Sequence, residues 1–112
     1  MDIEEIERNV KVAANLLKAL SSERRLLIIC ALHRGEKNVG ELEQIVGLSQ
    51  SALSQHLARL RRDGLVATRR EAQAIYYSVR DPAAQAILKT LHDIYCPQAF
   101  TDGDGKACSK TP

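Results

Sequence analysis

The segment from Gly47 to Val66 constrains the fold of this chain more than any other. Leu53, Leu57 and Leu60 recur at steps of four and three, so leucines line one stripe of a short amphipathic helix, with Leu65 on the core side beyond it. Gly47 to Gln50 reads as the turn leading in, and Asp63-Gly64 as the stop. The opposite stripe is Ser51, Gln55, Ala58 and Arg62, flanked by Ser54 and Arg59. Those side chains are short, amide or guanidinium, and none is a carboxylate. A face of that kind suits a groove lined with base edges and phosphates, and the helix reads as a DNA-recognition helix.

Charge is distributed to match. The net charge is only +2, which by itself says little about partners. Residues 1–48 carry seven Lys/Arg against eight Asp/Glu, residues 49–80 carry six Arg against two acids, and residues 81–112 carry three against four. The whole excess sits on the segment that holds the polar helix face, and there it is all Arg. A basic run is usually a solvated face; coinciding with an acid-free helix face, it reads as a phosphate footprint.

The flanking segments give the rest of the domain. Ile3, Ile6, Val10, Ala13, Leu17 and Leu20 form a heptad-like seam over a first helix, the pattern of a helix that packs along another helix. Ser21-Ser22 caps a second helix from about Glu23 to Arg34, with Glu23 in its first turn and Gly35 after its end. Leu26 to Leu32 is apolar all round, which predicts a helix buried at the centre of the domain. Val39 to Val46 reads as a third short helix. After the recognition helix, Leu65–Arg70 and Ala74–Val79 read as strands joined through a hairpin tip at residues 69–73. Asp81 followed by Pro82 starts a last helix, with Ala84, Ile87, Leu88, Leu91, Ile94 and Tyr95 on its apolar face and Pro97 ending it.

The predicted order is α-α-α-α-β-β-α, a mainly α winged helix-turn-helix with a β-hairpin wing. The DNA-binding and dimerisation domain spans 1–98, and 99–112, rich in Gly, Asp, Lys and Ser, is expected to be a disordered tail. The first and last helices keep apolar seams that the central helix cannot both cover, so they are assigned to a homodimer interface. A two-fold dimer would set two recognition helices about 34–36 Å apart on a pseudo-palindromic duplex. No run approaches the roughly 18 apolar residues of a membrane span, and the acidic start lacks the features of a leader, so a cytoplasmic protein with reduced thiols is expected.

Candidate contacts follow from this layout. Gln50, Ser51, Ser54, Gln55 and His56 are expected at base edges or nearby phosphates, with Gln55 able to pair bidentately with adenine. Arg59 and Arg62 would reach phosphates, and Arg69, Arg70 and Gln73 at the wing tip the backbone or minor groove. Nothing supplies a base, an oxyanion hole or a substrate cleft, so the chain is not expected to be an enzyme, and no cofactor is expected.

Four stretches resemble the ArsR/SmtB family of small bacterial repressors: Leu20-Ser-Ser-Glu-Arg-Arg-Leu-Leu-Ile-Ile, Val39-Gly-Glu-Leu, Leu48-Ser-Gln-Ser-Ala-Leu-Ser-Gln-His-Leu and Leu60-Arg-Arg-Asp-Gly-Leu-Val. They lie between Leu20 and Val66, and the resemblance extends over roughly residues 10–96. The resemblance implies a homodimeric repressor of double-stranded operator DNA that lets go when an inducer reaches a sensor site.

Most members of that family sense metals, yet their ligand motifs are broken here. The segment from Val39 to Val46 lacks the Cys-x-Cys of the arsenic, cadmium and lead members. Asp81 is followed by Pro82 and Ala83, and His92 by Asp93, Ile94 and Tyr95, so the zinc pattern of the last helix is missing as well. His33, His56 and His92 are scattered and read as surface or contact histidines rather than ligands. No metal site is expected. Either Cys30 or Cys96 taken alone reads as inert packing. As a pair in the second helix and at the end of the last, they are similar to the thiol- and persulfide-sensing branch of the family. The resemblance implies a Cys30–Cys96 dithiol switch bridged by reactive sulfur species, with peroxide or disulfide sensing, or soft-metal sensing, as alternatives. Cys108, between Lys106 and Lys110, departs from the pattern and reads as an incidental thiol of the tail.

Overall fold

The computed structural model describes residues 2–95. Cys96, Cys108 and the expected tail over 99–112 lie outside them. In chain order the elements are α1 (Ile3–Leu20), α2 (Glu23–His33), β1 (Lys37–Asn38), α3 (Val39–Val46), α4 (Gln50–Arg62), β2 (Val66–Glu71), β3 (Ala74–Val79) and α5 (Pro82–Tyr95). This is a winged helix-turn-helix. The chain divides into two compact units, residues 1–80 with α1 to β3, and residues 81–112, whose described part is α5.

Polar side chains set the helix boundaries of the first unit. Asp2 accepts from the Glu5 N–H at 2.8 Å to start α1, and Ser22 accepts from the Arg25 N–H at 3.3 Å to start α2. The same Arg25 turns its guanidinium back on α1, donating to the carbonyls of Ala19 at 2.7 Å and Lys18 at 3.3 Å. Those carbonyls belong to the last turn, whose oxygens a helix cannot satisfy internally. One arginine thus closes α1 from the first turn of α2. Asn38 and Glu41 exchange reciprocal side chain–backbone bonds of 2.8 and 2.9 Å, a capping box that starts α3.

Two glycines make the sharp reversals around α4. Gly47 adopts φ 71° after α3, and Ser49 then caps α4 by accepting from the Ala52 N–H at 3.2 Å. At the far end Gly64 adopts φ 79°. Leu65 donates to the Leu60 carbonyl at 2.9 Å and Gly64 to that of Arg61 at 3.0 Å, the paired bonds of a Schellman stop. That reversal turns the chain directly into the wing.

The core of the first unit is built from Leu20, Ile28, Ile29, Leu32, Leu42, Val46, Leu53, Leu57, Leu60, Leu65 and Val66, all buried. Full burial of each such side chain contributes about 1.5–3 kcal/mol. The leucine stripe of α4 faces this core as its spacing requires. α2 differs from its expectation of burial all round: Ile28, Ile29, Ala31 and Leu32 are buried, but Leu27 is exposed and Leu26 and Cys30 are half-buried. Among the seam residues of α1 only Leu20 is buried; Ile3, Ile6, Val10, Ala13 and Leu17 are open.

The sheet has three strands rather than the two expected, in the antiparallel order β1-β3-β2. β1 escapes a pattern search because two residues cannot display an alternation. The register pairs Glu71 with Ala74, so the wing turn is Ala72-Gln73, and Arg69 and Arg70 lie within β2 rather than at the tip. Ala72 takes a left-handed φ of 57°, which costs a residue with a Cβ about 1–2 kcal/mol.

In the second unit Asp81 caps α5 by accepting from the Ala83 N–H at 2.8 Å, with Pro82 at the first helical position. Ala84, Leu88 and His92 are its buried residues, spaced by four. The reading of His92 as a surface histidine is therefore corrected: it continues the buried stripe. Ile94 and Tyr95 are exposed. Among the described residues no helix is long and apolar enough to cross a membrane.

Candidate functional site

The solvent face of α4 is built by subtraction. Once Leu53, Leu57 and Leu60 turn inward, the helical repeat leaves Ser51, Gln55, Ala58 and Arg62 pointing outward, and all four are exposed. Ser54, exposed beside them, aligns with Ala58 and Arg61 at steps of four and three. Arg61 is exposed too, a cation on this face that the sequence reading missed although the same spacing points to it. Gln50 is exposed at the start of the helix, beside the cap Ser49, whose hydroxyl lies 3.4 Å from that of Ser51. From Ser49 to Arg62 the segment carries no carboxylate. The face therefore combines amide and hydroxyl groups, able to donate and accept, with positive charge toward its C-terminal end.

Two expected contact residues sit differently. Arg59 is half-buried and its Nε lies 3.5 Å from Asp63 Oδ2, an ion pair one helical turn long. His56 is half-buried on the α2 side of the helix, next to the leucine stripe rather than on the Ser51–Gln55–Arg62 stripe. Burial, and then the charges of Arg25 and Arg24, hold its imidazole below the ordinary histidine range. At neutral pH it is uncharged. Arg24 is oriented there by a 3.3 Å bond from its Nη1 to the Val46 carbonyl. His56 thus belongs to the seam between α2 and α4, because its position in the repeat lies beside the core leucines.

On the wing, Arg70 and Gln73 are exposed. Arg70 pairs across the strands with Ile75, which is also exposed. Arg69, expected at the tip, is engaged instead by Glu36 and Glu71 and lies over the ring of Tyr76. The two carboxylates hold its guanidinium firmly charged, and Arg69 in turn holds the Glu36 carboxyl below the usual range.

Cys30 lies away from this surface. It falls on one stripe of α2 with Glu23, Leu27 and Arg34, the side of that helix that is open rather than packed. Partial burial pushes its thiol above the ordinary cysteine range, so it is protonated at neutral pH. Its expected partner Cys96 lies just beyond the described residues.

Known proteins are similar to this chain in sequence and in fold. The family model for bacterial regulatory proteins of the arsR family matches residues 22–68, from the cap of α2 into β2. The transcriptional activator HlyU of Vibrio cholerae serotype O1 is 52% identical over 96 residues, which cover 86% of this chain and 89% of that protein. The biofilm growth-associated repressor of Xylella fastidiosa is 43% identical over 98 residues, covering 88% and 86%. The solved structure of reduced HlyU from Vibrio cholerae superposes with a TM-score of 0.80 at 52% identity, covering 84% of this chain and 99% of that one.

Proposed function

The chain belongs to the arsR family of bacterial regulatory proteins, and from that premise we propose that it is an operator-specific repressor switched by a Cys30–Cys96 dithiol. A DNA-binding transcriptional regulator, not an enzyme, is what the family and its relatives have in common. The observation that carries the operator reading is the exposed, acid-free stripe Ser51–Gln55–Arg62 on α4. In this reading Gln50, Ser51, Ser54 and Gln55 meet base edges, and Arg61, Arg62, Arg70 and Gln73 meet the backbone. Arg59 and His56 act from the margin of the face, the first shared with Asp63 and the second in its neutral form.

The protein works as a cytoplasmic homodimer. The exposed seam Ile3, Ile6, Val10 and Leu17 on α1, together with Ile94 and Tyr95 on α5, supports that assignment, since apolar stripes of this length are covered in functional proteins. Among the relatives one is named an activator and another a repressor. Repression is the reading taken here because a dimer that occupies an operator and lets go on modification needs only the DNA face and a switch.

The inducer is a reactive sulfur species. Cys30 is protonated at neutral pH, so the thiolate that opens the reaction is assigned to Cys96, and Cys30 resolves it. The Cys96 thiolate takes the outer sulfur of an organic persulfide and expels the organic thiol, and Cys30, deprotonated as it reacts, takes that of a second. One cysteine persulfide then attacks the Sγ of the other and releases hydrosulfide, leaving a chain of three sulfurs between the residues. To empty an operator the bridge must disfavour the DNA-competent state by several kcal/mol, because about 1.4 kcal/mol gives only a tenfold change. That a matched relative was solved as the reduced protein supports a thiol-based signal.

The test treats reduced protein separately with organic persulfide, peroxide, a small disulfide and Zn²⁺, and measures operator affinity and intact mass for each. A Cys30–Cys96 bridge that gains sulfur mass, with operator release, is expected for persulfide. Release by peroxide with a bridge of unchanged sulfur count would make the protein a peroxide sensor. Release by Zn²⁺ alone would overturn the thiol switch.

A further inference from the structure

Arg69 on β2 engages Glu71 of its own strand, Tyr76 of β3 and Glu36, the residue just before β1. Its Nε donates to Glu36 Oε2 at 3.3 Å and its Nη2 to Glu36 Oε1, two parallel bonds between residues 33 positions apart in the chain. Its Nη1 donates to Glu71 Oε1 at 3.0 Å. The guanidinium carbon lies 4.9 Å from the centroid of the Tyr76 ring. In the register Tyr76 opposes Arg69 on one side and Asn38 on the other. The arginine therefore reaches from β2 across a β3 side chain to the residue that precedes β1. All three of its nitrogens are committed.

The next residue does the opposite. Strand alternation puts Arg70 on the other face of the wing with Ile75. Among the described residues the Arg70 side chain makes no hydrogen bond or ion pair. Two adjacent arginines are thus separated by the pleat into one that is internally consumed and one that is offered outward.

We propose that Glu36 and Arg69 are positioning residues for DNA binding: they fix the angle of the wing against the β1 end, so that Arg70 meets a phosphate. The inference rests on the reading that the wing touches the duplex. β1 pairs with β3 at Lys37 and Asn38 only, so backbone pairing attaches the wing to the helical part over two residues. An isolated exposed ion pair orders little. A bidentate fork, a second carboxylate and a ring beneath the guanidinium together select one rotamer and one strand arrangement. The clamp also carries a sign that distinguishes it from a phosphate contact. Removing the Glu36 carboxylate takes a negative charge away from the DNA-binding surface, which by electrostatics alone strengthens binding. Loss of a positioning residue weakens it.

The experiment measures operator affinity of the full chain against salt concentration for Glu36→Ala, Arg69→Ala, the double variant, the charge reversal Glu36→Arg with Arg69→Glu, and Arg70→Ala, each checked for an unchanged unfolding midpoint. Glu36→Ala and Arg69→Ala should each weaken binding by about three- to tenfold with the salt slope unchanged. The double variant should be no weaker than either alone, and the charge reversal should recover most of the loss. Arg70→Ala should lower the salt slope by about one. Tighter binding by Glu36→Ala together with a lower slope for Arg69→Ala would make Arg69 itself the phosphate contact and overturn the proposal. If Arg70→Ala lowers the slope while Glu36→Ala has no effect, the clamp fails and the wing contact stands. If Arg70→Ala leaves both affinity and slope unchanged, the wing is not at the DNA, and the clamp falls with that reading.

Discussion

Helices α2 and α4 pack against each other, and each buries an aliphatic stripe, yet they turn different surfaces outward. α4 hides Leu53, Leu57 and Leu60 and shows hydroxyls, amides and arginines. α2 hides Ile28, Ile29 and Leu32 and leaves Leu27 and Cys30 on its open side. A polar, acid-free stripe is matched to a charged groove. The open stripe of α2, Glu23, Leu27, Cys30 and Arg34, mixes charge with a leucine and a protonated thiol, and in the proposed switch it carries the resolving cysteine. In the proposed function, one helix pair would then join the DNA face to the thiol through a shared core.

The largest effect that could break the contrast is a cavity. Leu53→Ala should cost about 2–5 kcal/mol of stability in denaturant unfolding, because the side chain has no exposure. Leu27→Ala, at a side chain 38% exposed in the single chain, should cost well under half as much. Equal losses would mean that the open side of α2 is covered in solution. Next is base readout: Gln55→Ala should cost about 1–3 kcal/mol on the operator and little on scrambled duplex. Equal weakening on both would make the α4 stripe a phosphate surface only.

The smallest effect concerns the seam between the helices. His56 has a folded-state pKa below the ordinary 6.5, so below that value the unfolded chain takes a proton that the folded chain resists. The stability this contributes is present above about pH 6.5 and is lost as pH falls toward the folded value. His56→Gln should flatten that part of the stability–pH curve. A variant that keeps the wild-type slope between pH 7 and pH 5 would show that the seam does not oppose protonation.

The parts legible in the sequence were those written in periodicity and in strong local signals. The leucine spacing of α4, the Asp81-Pro82 start of α5 and the Gly47 and Gly64 reversals all lie in short windows. What escaped depends on residues distant in the chain. The role of Arg25 as a cap of α1 requires the angle between α1 and α2. The engagement of Arg69 requires Glu36 and the register of β3, and without the register Arg69 looks like one more arginine at a hairpin tip. His56 and His92 were misplaced for a common reason: a polar side chain at a core-adjacent position looks exposed until the helix is docked. The open side of α2 was missed because an unbroken apolar run hides which of its residues face inward. Cys30 could be placed on a helix from sequence; that it sits on the open side could not.

The division between output and input is tested most directly by operator affinity of Cys30→Ser before and after exposure to organic persulfide. The reduced variant should bind like the wild type, since Cys30 lies on α2 and not on the α4 stripe, and persulfide should no longer release it, with one added sulfur trapped on Cys96 as the mass signature. Full release of Cys30→Ser by persulfide would contradict a switch that works through α2.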